Sequence, residues 1–399
     1  MLRFTKAIFT YDILLILILV GGFFGQCIYI GFSQLHLVRI MFPILILWGF
    51  KNLSFKTTNL GFSVMLYYII LFITTTFMSF VYRDVTTIND YINFIVASFL
   101  PIFLLLLAQI NISRFIKIMF YVTLFSFIIY VIIAIYEVLT LNHLSSSLLA
   151  NVPKEEWWRH VPTGVYANQN DFASAIALMG FLLISYLRLF VNKNTLLYEL
   201  FILLIITWIA LITTARLVQV VLLMITLVLY FKYIFRLKIL ICVGVICVIL
   251  MVVFYDYFQY IIDFLKQFNS FEKGSPERVE LFTYGLKSVK ESWGMGFGIG
   301  NSDIYYSRHG FDILIPHFYQ IEVLMTGGIL PLLVWIVMYL RFFRDIVLFT
   351  PNKELILFPF VYFLLQQSAA SIFFNYTFYI IFIAFVAIYE IQKSEYFNK

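Results

Sequence analysis

Residues Ser275–Gly328 read SPERVELFTYGLKSVKESWGMGFGIGNSDIYYSRHGFDILIPHFYQIEVLMTGG. The stretch is polar and glycine-rich, and it carries Arg278, Arg308, His309 and His317. Nearly everything on either side is apolar, in runs of about 20 residues, the length of a membrane-spanning helix. That contrast decides the fold. The 399 residues are 63% hydrophobic and only 12% charged, whereas soluble domains are about half apolar and a quarter charged. A β-barrel would show short alternating segments, but these runs are continuous. The expected fold is an all-α polytopic membrane protein, with residues 1–399 forming a single integral membrane domain.

Outward from that stretch, the apolar periodicity predicts about twelve helices. They lie near 10–31, 34–50, 60–82, 91–110, 115–140, 170–191, 196–214, 216–232, 238–256, 317–340, 354–370 and 372–390. The joint at Thr213–Arg216 fits either a turn or a break inside one long helix, and the last pair is divided near Ser368–Ser371. MLRFTKAIFTYDILLILILV lacks a small-residue cleavage site and is expected to be a retained first helix. With the amino terminus inside, every short inside loop carries at least two Lys or Arg. The positive-inside rule then places both termini in the cytoplasm. Two long loops, about 141–170 and 257–316, fall on the outer face, and long loops in a compact protein usually carry function. Cys27, Cys242 and Cys247 lie in apolar runs with neither metal spacing nor a disulfide framework.

The second long loop has internal structure. Ser275, Pro276 and Glu277 form a helix start, with a capping hydroxyl, a proline in the first turn and an acid at the positive end of the dipole. Val279, Phe282, Leu286, Val289 and Trp293 recur at steps of three and four, as on one apolar face. Arg278 therefore sits in the first turn of an amphipathic helix on the membrane surface. The following GMGFGIGN is expected to end it in a flexible loop. It is no nucleotide loop, because it neither follows a strand nor opens a βαβ unit.

Several residues are candidates for chemistry. Arg216, in ITTARLVQVV, has apolar sequence on both sides. An arginine near lipid is costly unless it snorkels or pairs, so it reads as an interfacial anchor or as an anion site. Arg278 is either a solvated helix residue or a second cation for that site. Arg39, about one turn inside the second helix, reads as an anchor or a third cation. His317 can accept a proton at neutral pH, or simply mark a wet helix end. Glu322 is a carboxylate inside a membrane helix, a functional candidate by default or a partner for a neighbouring arginine. Gly164, Asn168 and Asn170 precede a helix start at Asp171, and their amides suit sugar hydroxyls or a turn with a cap. His160 and His309, beside Arg159 and Arg308, read as solvated.

Four of these segments, in order, resemble the O-antigen ligase and polymerase superfamily of bacterial membrane glycosyltransferases. GVYANQNDFA is similar to its asparagine segment before a helix, and TTAR to its arginine at a helix start. ERVELFTYGLKSVKESWGMGFG is similar to its arginine-led helix and glycine turn, and PHFYQIEVLMTGGI to its histidine segment. The resemblance covers roughly Pro162–Pro331. It departs where Phe318 follows the histidine, and where Leu227 and Val289 stand eleven residues after Arg216 and Arg278 in place of a glycine.

The resemblance implies polymerisation of oligosaccharide repeat units carried on undecaprenyl pyrophosphate, for O-antigen, capsule or another surface polysaccharide. The reaction would take place at the outer face of the bacterial cytoplasmic membrane, without cofactor or metal. Arg216 and Arg278 would hold the pyrophosphate and His317 would be the base, with Gly164, Asn168, Asn170, Arg39 and Glu322 lining the substrate site. The implied partners are the lipid-linked glycans, the lipid bilayer, a chain-length regulator and a flippase, with no nucleic acid. Two alternatives stay open: a ligase that moves finished glycan to another acceptor, and a flippase or transporter of the same lipids. A transporter would place charges or broken helices at the midplane, whereas here the charges crowd one face.

Overall fold

The computed structural model describes residues 2–25, 36–52, 58–82, 88–154, 156–191, 195–234, 274–311, 318–352, 354–367 and 375–397. Among them are fourteen α-helices. In chain order these are α1 Leu2–Phe24, α2 Leu37–Asn52, α3 Asn59–Val81, α4 Ile88–Ile110, α5 Ile112–Thr140, α6 Gln169–Phe190, α7 Leu196–Ile212 and α8 Arg216–Ile234. They continue with α9 Gly274–Glu291, α10 Asn301–Arg308, α11 Tyr319–Gly327, α12 Ile329–Phe349, α13 Glu354–Gln367 and α14 Tyr376–Phe397. No strand occurs among the described residues. The predicted helix at 238–256, and His317 itself, lie outside them.

Among the described residues, five helices are long and apolar enough to cross a membrane: Asn59–Val81, Asp90–Ile110, Ile112–Thr140, Gln169–Phe190 and Tyr376–Ser394. Their outer faces support that reading. Along α3, Phe62, Leu66, Ile69, Ile73, Phe77 and Phe80 are all exposed, at steps of three and four. Along α5, Tyr121, Phe125, Ile128, Ile132 and Leu139 form the same kind of stripe. Helical spacing puts each set on one face, and such faces in water would be large apolar patches of the kind soluble monomers avoid. In lipid they need no cover.

The helices alternate in direction. At one end, here the upper, α1 finishes and α2, α4, α6, α8 and α14 begin. Tyr130 of α5 donates there to the Phe23 carbonyl, and its hydroxyl is 3.3 Å from that of Tyr166. Tyr166 in turn is 2.8 Å from the Thr377 hydroxyl. At the lower end Arg114 pairs with Asp12, and Thr58 donates to Glu390 over 2.7 Å. The joint at Thr213–Arg216 is a reversal. Tyr230, late in α8, donates to Glu199, early in α7, over 2.7 Å, so the two helices lie antiparallel.

The predicted helix 317–340 is two helices running in opposite directions. Tyr319 meets Tyr67 of α3, with hydroxyls 2.7 Å apart. Gly327 packs against Thr74 and Thr75 of the same helix. Thus α11 climbs alongside α3, and its nine residues span about 14 Å at 1.5 Å per residue. Helix α12 then descends, and its Arg341 donates to Ser63 over 3.1 Å. The chain reverses at Gly328, whose φ of 86° and ψ of −167° belong to glycine alone. A Cβ there would fall 2.4 Å from the Gly294 carbonyl oxygen. Hydropathy runs unbroken through this reversal, so the sequence shows a single helix.

Candidate functional site

Gly164, Asn168 and Asn170 come together at the upper end, where the first long loop enters α6. Asn168 is the cap. Its Oδ1 accepts from the Asp171 N–H at 3.0 Å, and its Nδ2 donates to the Asp171 carboxylate at 2.7 Å. Both ends of the amide are thereby used. Asn170 is exposed on the first turn of α6. Gly164 has φ +56°, and a Cβ there would meet the Phe172 ring at 2.5 Å. Its N–H and that of Thr163 both donate to Glu137 Oε2 at 2.8 Å. The turn-and-cap alternative therefore accounts for Gly164 and Asn168.

Glu137 belongs to a buried network that the sequence gives no reason to single out. Its other oxygen is 3.4 Å from Nδ1 of His143, and neither side chain is exposed. His143 Nε2 lies 3.0 Å from the Arg159 carbonyl. That nitrogen must carry a hydrogen, since a carbonyl only accepts. Arg159 is itself 8% exposed and donates to the Leu149 carbonyl. The loop folds over Arg159, so its guanidinium faces backbone rather than water. His160 is partly buried, and that burial holds its imidazole below the ordinary range. His309 is exposed, with its Nδ1 2.7 Å from the Tyr305 carbonyl.

Arg39 bonds to a neighbouring helix. Its Nε and Nη2 lie 3.0 and 2.5 Å from Asn93 Oδ1. Tyr376 donates to the same oxygen at 3.1 Å. The trio joins the upper ends of α2, α4 and α14, which is the anchor alternative. Arg216 is exposed at the first position of α8, just after Thr214 at φ +53°.

The remaining candidates lie on α9 and α11, which run parallel and in contact. Phe282 of α9 meets Phe318 edge-on, with ring centroids 5.3 Å apart. Three residues on, Gly285 abuts Ile321, and a Cβ there would fall 2.4 Å from its Cγ2. Further up, the Ile329 N–H donates to the Gly294 carbonyl at 2.8 Å. The start of α11 therefore lies beside the middle of α9. Arg278 is one turn before Phe282, and His317 is the residue next to Phe318. No side chain caps α11 at Phe318, so the first-turn N–H groups add their dipole to this place. Glu322 is buried one turn into α11. Its charge, after burial itself, helps push the neighbouring Tyr306 phenol upward, and Tyr306 donates to the Leu281 carbonyl at 2.9 Å.

The amphipathic helix has two distinct faces. Leu281, Gly285, Ser288 and Ser292 are buried, and small side chains let α11 approach closely at Gly285. Phe282, Leu286 and Trp293, the apolar face seen in the sequence, are exposed. GMGFGIGN is a packed clasp and not a flexible loop. The Phe297 and Gly298 N–H groups donate to the Met325 and Thr326 carbonyls at 2.6 and 3.0 Å. Ile299 N–H donates to Ser79 Oγ at 2.9 Å. Gly298, at φ +84°, lies so close to Ser79 that a Cβ would sit 2.5 Å from its nitrogen.

Chemically, the start of α11 combines its helix dipole with the buried carboxylate of Glu322 beside the middle of α9, and the sequence puts Arg278 one turn before Phe282 and His317 directly before Phe318. That combination suits an anion and a proton transfer. Comparison with models of known protein families and with curated proteins finds no match for this chain.

Proposed function

We propose that this chain is a membrane glycosyltransferase that polymerises undecaprenyl-pyrophosphate-linked oligosaccharide repeat units at the outer face of the bacterial cytoplasmic membrane. In this reading about twelve spans cross the membrane, both termini are cytoplasmic and the upper end faces outward, so the start of α11, level with Tyr67 of α3, lies inside the membrane below that face. The observation that carries it is the packing of α9 on α11 through Phe282 and Phe318; Arg278 precedes Phe282 by one turn, and His317 precedes Phe318 in the sequence.

The chemistry asks for few groups. A hydroxyl of the acceptor glycan attacks the anomeric carbon of the donor, and its proton passes to His317. The new glycosidic bond forms as the bond from that carbon to the pyrophosphate oxygen breaks, and the electron pair leaves on the pyrophosphate. Arginines that hold this oxyanion stabilise the charge where it develops. In this proposal Arg278 and Arg216 have that role, of which Arg216 stands at the upper end on the first turn of α8, apart from the start of α11. Glu322 orients groups around the histidine, and the glycine clasp holds the ends of α9 and α11 together.

One observation favours the flippase alternative: α11 is a half-length helix ending in a glycine reversal, a device that transporters share. Purified protein in vesicles, supplied with lipid-linked repeat units, separates these readings. The proposal expects a ladder of longer glycans. Transfer of a single finished glycan to another acceptor would identify a ligase, and lipid scrambling without transfer would overturn the enzyme reading.

A further inference from the structure

A groove with a cavity of about 350 Å³ lies between the lower halves of α5, α6 and α7. Such a volume is at the low end of small-molecule sites, about 300 Å³ upward. Its back wall includes Leu183 and Leu187 of α6, and its rim is formed by Ile128 and Ile132 of α5 and Tyr198 and Phe201 of α7. Those four rim residues are exposed, and Ile128 and Ile132 belong to the stripe that α5 turns toward lipid. The groove is thus continuous with the lipid-facing surface and opens sideways into it. Its lining is apolar apart from the Tyr198 hydroxyl at the rim, so water gains almost no partner there.

Length and charge narrow the occupant. From Phe120 to Ile132 the groove follows α5 for about 18 Å at 1.5 Å per residue, close to the ~15 Å hydrocarbon depth of one leaflet. Lys117 is exposed one turn below Phe120 and on the same face of α5. A chain lying in the groove therefore has a cation at its foot, where an anionic headgroup would sit. The candidate site for glycan transfer is elsewhere, beside α3 and α12.

We propose that this groove is a binding site for one acyl chain of an anionic glycerophospholipid from the leaflet at the lower end of the bundle, with Lys117 against its phosphate. The site is separate from that of the glycan donor and does not depend on the function proposed above.

Full-length protein in nanodiscs containing phosphatidylglycerol with a diazirine on one acyl chain tests this. After irradiation, adducts are expected on peptides of α5, α6 and α7 around Leu183 and Ile128. Leu183→Trp, which fills the back wall, should lower those adducts by about tenfold, and Lys117→Gln should erase the preference for phosphatidylglycerol over phosphatidylcholine. Competition on the unaltered protein needs no variant: unlabelled phosphatidylglycerol should displace the probe and undecaprenyl phosphate should not. Displacement by the polyprenyl lipid instead, or equal labelling of a folded Leu183→Trp protein, would overturn the proposal.

Discussion

The two long connections at the upper end are fastened by opposite means. The first, between α5 and α6, is held by buried polar side chains: Glu137 takes two backbone N–H groups and faces His143, and Arg159 is folded under the loop. The second, between α9 and α11, is held by backbone against backbone at Gly296, Gly298 and Gly328, where a side chain does not fit. A polar lock depends on each partner being satisfied, because an orphaned buried charge costs several kcal/mol. A glycine lock depends on the absence of atoms. The first specifies a loop over a capped helix start, whereas the second fixes how α9, α11 and α12 meet around the candidate site.

The largest effect is expected from adding a single methyl to the second lock. Gly328→Ala combines a glycine-only conformation with overlap onto residues 294 and 295, a loss on the order of 4 kcal/mol or failure to fold. Thermal unfolding in detergent, or loss of a monodisperse chromatographic peak, reports it. Glu137→Ala should break the first lock at a cost of about 3 kcal/mol. It should expose residues 141–163 to limited proteolysis while the peptide containing 294–300 stays protected. If both regions are cleaved together, the two locks are one unit and the contrast fails.

Smaller substitutions sharpen the contrast. Asn168→Ala removes the α6 cap and should cost about 1 kcal/mol, with Asn168→Asp largely restoring it. Ser79→Ala removes the hydroxyl that receives the Ile299 N–H and should cost about 1 kcal/mol. Hydrogen exchange should rise at Ile299 in that variant and remain unchanged at Thr163 and Gly164.

These locks also explain what the sequence discloses. Spanning helices are legible because lipid demands long apolar runs, and the Asn168 cap is legible because its residue type and position announce it. Glu137 is concealed because its partners, at 143 and 163–164, have no fixed spacing from it. The reversal at Gly328 is concealed because the run VLMTGGILPLLV passes through it without a charged residue. The face of α9 is only half legible: periodicity identifies Phe282, Leu286 and Trp293 as one stripe, but not that the small residues opposite make the protein contact. Arg39 carries the same charge as Arg216 in the sequence, and only Asn93 and Tyr376 reveal it as a tie between helices.

The central claim is that glycan transfer takes place where α11 begins beside α9. The most direct measurement is the rate of glycan lengthening by reconstituted protein carrying His317→Ala or Arg278→Ala, alongside binding of the lipid-linked donor. The account predicts a fall of about 100-fold or more in rate for each, with donor binding nearly unchanged for His317→Ala and weakened for Arg278→Ala. A folded His317→Ala protein that builds the same ladder at the original rate would contradict it.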